Sequence, residues 1–289
     1  MAQSRKKRSP PQRSPADLSK TAAPSRLVII GGAEDKTGAC EILQKVVELA
    51  GGGESRIAVF TCASEFPIEV GEEYKSVLTR LGAGYVSIID IHTREEANSE
   101  NLVRLLQKST GVFFTGGCQL RISTLLGGTR TETTLKDRHA RGMLIAGTSA
   151  GAAMMSDMMI VRGDSQTHPS IGIVELGYGL GFISDVVIDQ HFAQRGRLGR
   201  LLSAVAQNPR HIGVGIDENT ALVVSDRQLR VLGSGSVTIV DTHSSNFSDL
   251  MQRGITPAEC LALWNIRLHV LPENYGFDLK TLQVLPPAA

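Results

Sequence analysis

Five short apolar runs mark the first half of the chain: Arg26–Ile30, Arg56–Phe60, Tyr85–Ile89, Gly111–Phe114 and Met143–Ala146. They are brief and almost continuously apolar, the pattern of parallel strands covered on both faces. Segments of helical length separate them. Thr37–Ala50 carries Ile42, Val46 and Leu49 near helical spacing and stops at Gly51-Gly52-Gly53. Glu72–Leu81, Glu95–Gln107 and Glu132–Arg141 read the same way. Strand and helix in alternation predict an α/β fold with a doubly wound, mostly parallel open sheet.

The second half begins in the same style. Val186–Ile188 and Ile212–Ile216 read as further central strands, with Leu198–Gln207 as the helix between them. Thr220–Val224, Gln228–Leu232 and Ser236–Val240 then follow closely, broken by Asp226-Arg227 and Gly233-Ser234-Gly235. Those spacings predict antiparallel hairpins extending one edge of the sheet. No internal repeat or break in composition divides residues 26–289, so they are expected to form one domain, within the one or two that 289 residues suggest.

Composition narrows the class. Hydrophobic residues at 42% and charged residues at 20% are globular values. No apolar run approaches the ~20 residues of a membrane helix, so no membrane association is expected. Lys+Arg (30) and Asp+Glu (29) nearly cancel. Residues 1–25, however, hold six basic side chains and one acid, leaving 24 basic against 28 acidic residues in 26–289. An acidic body is a poor match for nucleic acid. The Pro- and Ser-rich tail lacks an apolar signal-peptide core, and a disordered basic segment is expected there. Cys40, Cys62, Cys118 and Cys260 offer neither a zinc spacing nor a disulfide framework, which suits a reduced cytoplasmic protein.

The strongest chemical signal is Gly147-Thr148-Ser149-Ala150-Gly151, directly after the fifth run. A serine on a sharp strand-to-helix turn needs small neighbours, because the turn brings its backbone close to theirs. The turn exposes the hydroxyl at the carboxyl end of the sheet and aims the Ala150 N–H toward a developing oxyanion. Such a serine needs a base. Of the seven histidines, His191 follows Val186–Gln190 and so occupies a strand's carboxyl end, where open α/β sheets place their sites. A carboxylate should orient the imidazole. Asp217 and Glu218 end the run from Ile212, and strand alternation lets only one of them face the site without choosing which. The chain order Ser…His…acid disfavours an α/β-hydrolase, whose order is Ser…acid…His.

Together Gly147–Ala152, Phe114–Gly117 followed by Gln119, Asp189–Phe192 and Ile216–Glu218 resemble the serine exopeptidase family that holds cyanophycinases alongside α-aspartyl dipeptidase (peptidase E). The motifs fall in order between about residue 27 and residue 224. The resemblance implies a glutamine-amidotransferase-like (flavodoxin-like) fold, a homodimer and no metal or cofactor. It selects Glu218 over Asp217 and implies a triad of Ser149, His191 and Glu218. It also makes the Gly117 N–H an oxyanion donor beside Ala150, and Gln119 a substrate contact. The activity implied is hydrolysis of cyanophycin (multi-L-arginyl-poly-L-aspartate) to β-Asp-Arg dipeptides through an acyl-enzyme. Hydrolysis of α-aspartyl dipeptides is the nearest alternative, and a non-catalytic binding protein on the same scaffold is the third.

Three further features qualify the resemblance. Cys118 stands where the family commonly has an acid or an amide, which alters pocket polarity. Arg195, Arg197 and Arg200 crowd the start of a helix whose dipole disfavours cations. The resemblance makes them candidates for holding the substrate's aspartate, with Asp189 and Gln190 as polar pocket residues. Gly31-Gly32-Ala33-Glu34-Asp35 lacks the GxGxxG of a dinucleotide loop and reads as a βα turn near the dimer or active-site edge.

Overall fold

The predicted parallel strands are β1 (Arg26–Ile30), β2 (Arg56–Phe60), β3 (Tyr85–Ile89), β4 (Gly111–Phe114) and β5 (Leu144–Thr148), in a computed structural model that describes residues 26–165, 168–243, 247–248 and 259–287. They lie in the order β3-β2-β4-β5-β1, all parallel. Both faces are covered, as the continuous apolar runs require. Along β1, Leu27 and Ile29 enter one hydrophobic cluster while Val28 and Ile30 enter the other.

Seven helices are present among the described residues: α1 (Glu41–Ala50), α2 (Pro67–Arg80), α3 (Glu100–Lys108), α4 (Gln119–Leu126), α5 (Arg130–His139), α6 (Ala150–Ala153) and α7 (Leu198–Gln207). Helix α1 buries Ile42, Leu43, Val46, Val47 and Ala50, and ends at Gly51 with φ 115°, the left-handed cap that glycine supplies. Two helices begin later than the apolar spacing suggested. Asp35 holds the loop before α1 by accepting the N–H groups of Thr37, Gly38 and Cys40. Ser99 caps α3, so the preceding turn is a separate 3₁₀ piece, Glu96–Asn98. Helix α4 lies outside the predicted helices.

The antiparallel extension of the sheet is β10 (Thr220–Ser225) against β1, then β11 (Gln228–Gly233), β16 (Gly276–Asp278) and β17 (Gln283–Leu285). Two expectations are corrected. The strands β8 (Val186–Gln190) and β9 (Ile212–Ile216) are not part of the large sheet. They pair in parallel and form a second sheet with β12 (Ser236–Asp241) and β15 (Arg267–Pro272). The third short run therefore leaves the hairpin series and pairs with β9. The physical reason is that β10 takes the free edge of β1, so β8 and β9 pack face-on. Their Ile188, Val214 and Ile216 share a core with Ile29, Phe114 and Ile145. Helix α7 covers the other face through Leu201 and Val205 against Val187 and Val240.

Two small pairs complete the described structure: β6 (Met158–Gly163) with β7 (Val174–Tyr178), and β13 (Phe247–Ser248) with β14 (Leu263–Trp264). The basic tail of residues 1–25 lies outside the described residues. Among the described residues no helix is long and apolar enough to cross a membrane.

Packing between strand β4 and helix α6 is tight enough to test. A Cβ on Gly151 would lie 2.3 Å from the Phe114 carbonyl oxygen and 2.8 Å from the Phe114 Cβ. These are backbone and Cβ atoms of a fully buried strand residue, which leave little room to relax. Gly151→Ala is expected to destabilise the fold by about 1–3 kcal/mol, read as a lower urea midpoint at unchanged slope.

Candidate active site

Ser149 stands between the end of β5 and the start of α6 with φ 53° and ψ −111°. A non-glycine residue in that region is strained and persists only where its surroundings hold it. The flanking glycines leave room for it. A Cβ on Gly147 would lie 2.5 Å from the Gly151 carbonyl oxygen, and one on Gly116 would lie 3.4 Å from the Ser149 Cβ. Ser149 itself is half-buried.

His191 follows β8 in the second sheet, also at positive φ (49°). Its Nε2 lies 3.0 Å from Ser149 Oγ and its Nδ1 lies 2.6 Å from Glu218 Oε1. Three side chains from separate elements thus form one hydrogen-bonded line. Burial lowers the imidazole's pKa below its ordinary 6.5; the Glu218 carboxylate opposes this, and the charges of Arg195 and Arg197 add to it.

Strand alternation left Asp217 and Glu218 undecided, and here they separate cleanly. Asp217 is buried; its carboxylate accepts from the Ala193 N–H at 3.0 Å and from the Ser236 hydroxyl at 2.8 Å. Glu218 faces the imidazole, and its own N–H donates to Gln194 Oε1 at 3.0 Å.

The loop after β1, read from the sequence as a βα turn near the dimer or active-site edge, lies against the histidine. A Cβ on Gly32, which has φ 105°, would stand 2.3 Å from His191 Cε1, and one on Gly31 would stand 2.1 Å from the Asp217 carbonyl oxygen. The imidazole therefore packs on a surface that only glycine provides. Glu34 is buried, accepting the Tyr74 hydroxyl and, at 2.6 Å, the Thr148 hydroxyl. Burial, reinforced by Glu34, pushes the Tyr74 phenol well above its usual range, so it remains a donor. A Gly pair at the tip of the strand next to the serine's own was the available signal. Glu34 and Thr148 lie inside segments read from the sequence as near the site but carry no role in that reading, and Tyr74 had no signal.

A cleft of about 620 Å³ opens beside Ser149, lined in part by Glu34, Lys36, Gly116, Gly117, Cys118 and Arg121. Gly117 has φ 134°, and a Cβ there would meet the Ala63 carbonyl oxygen at 2.0 Å. The next residue, Cys118, is exposed and donates its N–H to that same oxygen at 3.0 Å. The Gly117 backbone is thus fixed at the cleft wall, and Ala150 is the first residue of α6.

The expected substrate contacts divide. Arg195 is exposed. Asp189, Gln190, Arg197 and Arg200 are buried and turn to one another. Arg200 Nε donates to Asp189 Oδ2 at 2.7 Å, and its Nη1 donates to the Gly163 carbonyl at 3.0 Å. Arg197 Nη1 donates to the Gln190 carbonyl and side chain and, at 3.3 Å, to Asp189. Burial brings the Arg197 guanidinium down to about 10. The crowding of cations at the start of α7 is explained by this buried carboxylate, which faces them from β8. Gln119 spends its amide nitrogen on the carbonyls of Ile160 and Val161, at 2.9 and 2.7 Å. In this structure these side chains make their hydrogen bonds to other protein groups, while Arg197 Nε is buried without a partner among the described residues.

Comparison with known proteins adds to this geometry. The model of peptidase family S51 matches residues 27–232. A cyanophycinase from Geminocystis herdmanii (strain PCC 6308) is 38% identical over 261 residues, covering 90% of this chain and 95% of its own. One from Nostoc sp. (strain PCC 7120 / SAG 25.82 / UTEX 2576) is 41% identical over 267 residues, covering 92% and 89%. Among solved structures, a peptidase from an acI-B1 Actinobacterium aligns with a TM-score of 0.65 at 20% identity, covering 89% of this chain and 97% of that one. A putative peptidase E from Listeria monocytogenes EGD-e aligns at 0.53 and 17% identity, covering 74% and 100%. These two likenesses concern the fold.

The division among the arginines gives a stability test. Arg200→Ala leaves the buried Asp189 carboxylate with the longer 3.3 Å contact to Arg197 as its only ion pair among the described residues and is expected to cost about 3–5 kcal/mol. Arg195→Ala, at an exposed position, should stay within about 0.5 kcal/mol of the parent. Equilibrium denaturation of the two variants makes the comparison.

Proposed function

We infer that this chain, which belongs to peptidase family S51, is a serine peptidase that degrades cyanophycin. The observation that carries the reading is the hydrogen-bonded line from Glu218 through His191 to Ser149. The cyanophycinase relatives, near 40% identity over nine-tenths of the chain, supply the substrate class.

In this mechanism Ser149 Oγ attacks a backbone carbonyl of the poly-aspartate chain while His191 Nε2 accepts its proton. Glu218 holds the Nδ1–H, fixing the tautomer and stabilising the imidazolium. The lowered imidazole pKa keeps His191 neutral, and so ready as a base, at neutral pH. The oxyanion is received by the N–H groups of Gly117 and Ala150. His191 then returns the proton to the leaving amine as the carbon–nitrogen bond breaks. Water, deprotonated by the same imidazole, cleaves the acyl-enzyme and restores the serine hydroxyl. No step in this scheme calls for a metal or cofactor.

The product on this reading is the β-Asp-Arg dipeptide, released by exopeptidase action. Of the three arginines around the start of α7, Arg195, exposed beside the histidine, is the one available to meet a substrate carboxylate; Asp189, Gln190, Arg197, Arg200 and Gln119 support the site from behind. Residues 26–289 act as one catalytic domain. The four cysteines are free thiols, as suits the cytoplasm, and a homodimer completes the assignment.

Cyanophycin and Asp-containing dipeptides offered separately test the substrate, with consumption of cyanophycin and release of β-Asp-Arg expected. Ser149→Ala and His191→Ala should lower kcat about 10⁶-fold and Glu218→Gln about 10⁴-fold, with covalent labelling by a serine-directed reagent lost in Ser149→Ala. The acid limb of the kcat/KM profile should fall below pH 6.5. Arg195→Gln should move it upward, because removing a nearby positive charge favours the imidazolium.

A further inference from the structure

Glu34 is a buried carboxylate that the peptidase mechanism does not use. It is 4% exposed, yet it lines the cleft beside Ser149, together with Tyr74 and Thr148. Each of its oxygens accepts one hydroxyl, from Tyr74 on Oε1 and from Thr148 on Oε2. These donors fix the group in place but cannot neutralise it. Among the described residues no ion pair reaches it. Lys36, two positions on, pairs instead with Glu73 at 2.7 Å and lies over the Tyr74 ring at 4.5 Å.

A buried carboxylate is ordinarily matched by a cation, since removing a charge from water is costly without one. Here the described residues supply two hydroxyls and no ion-pair partner to a carboxylate residue that lines the cleft. A ligand carrying a cation would complete the site. The proposed substrate has such a group on every unit, the guanidinium of its arginyl branch. The exposed Glu65 lines the same cleft, but a solvated carboxylate is screened and discriminates little. Arg121, also in the cleft, makes one long hydrogen bond of 3.5 Å to the Ser64 carbonyl and suits the branch's free carboxylate.

We propose that Glu34 is a specificity residue, receiving the guanidinium of the substrate's arginyl branch at the floor of the cleft beside Ser149. The assignment rests on the reading of the chain as a cyanophycin-degrading peptidase.

The test compares β-Asp-Arg with its citrulline counterpart, which keeps the shape and loses the charge. Calorimetry measures both dipeptides on Ser149→Ala and on Ser149→Ala combined with Glu34→Gln. Turnover of short oligomers bearing either branch is measured in the Ser149 background. The expected result is a preference for arginyl over citrullinyl of about 10- to 100-fold, which Glu34→Gln abolishes while citrullinyl binding stays unchanged. Tyr74→Phe, which keeps the carboxylate and removes one brace, should retain most of the preference. Equal losses for both dipeptides in Glu34→Gln would mean a structural role and overturn the proposal. So would an unchanged preference, or a preference lost as completely in Tyr74→Phe. Turnover of neither oligomer by the unsubstituted enzyme removes the peptidase reading and the Glu34 assignment with it. Turnover of the arginyl oligomer with no arginyl preference removes the assignment alone.

Discussion

Three consecutive backbone carbonyls hold the site together. The Ile30 oxygen accepts the Ser149 N–H at 3.0 Å, the Gly31 oxygen accepts the His191 N–H at 2.8 Å, and the Gly32 oxygen accepts the Asn219 N–H at 2.9 Å. The end of β1 and its two glycines therefore set the register of the serine turn, the histidine turn and the residue beside Glu218. Each of those three partner residues has positive φ, a conformation that costs free energy and holds only when over-determined by its surroundings. The carbonyls supply that over-determination. Any side chain at Gly31 or Gly32 would push the Asp217 backbone or the imidazole away from the strip, so both residues must be the smallest.

Behind the histidine, a second set of contacts limits its motion from the other direction. Asp189 on β8 and Arg200 on α7 pair in a buried setting, and Arg200 reaches on to the Gly163 carbonyl at the end of β6. Such a pair yields little net stability when intact, because desolvation offsets the attraction, but breaking it is expensive. Its effect is geometric: the turn that carries His191 is anchored to a helix and a strand at once. Arg197 has a different influence. Its charge stands close enough to depress the imidazole's pKa while Glu218, beyond the end of β9, raises it, so two separate segments exert opposite pulls on one proton.

Much of this was legible in the sequence, and what was not has physical reasons. The apolar runs of β1 to β5 announce themselves because strands buried on both faces have no polar positions to interrupt them. The serine turn is legible because its geometry excludes side chains at Gly147 and Gly151. Sheet membership of β8 and β9 was not legible. A strand in the large sheet and a strand packed face-on against it bury the same residues, and the difference lies in which edge β10 occupies. Asp217 and Glu218 could not be separated by period-two alternation, because the choice depends on Ser236 and Ala193 capturing the Asp217 carboxylate. The pairing of Arg197 and Arg200 with Asp189 was not legible for a related reason: a basic run gives no sign of a buried carboxylate waiting on another element.

The partition of the site between two sheets has a consequence for how it forms. Ser149, the Gly116–Gly117 wall and the Glu34 loop belong to the large sheet; His191 and Glu218 belong to the second. Neither half holds a nucleophile with its base. The contact that brings them into range is the shared core in which Ile188, Val214 and Ile216 meet Ile29 and Phe114. Burial of apolar area, non-directional in itself, brings the sheets into contact, and the carbonyls of residues 30–32 convert that contact into a fixed register. A change that loosened the inter-sheet core without unfolding either sheet would lengthen the hydrogen bond from His191 to Ser149 first. In such an architecture loss of proton transfer should precede loss of secondary structure.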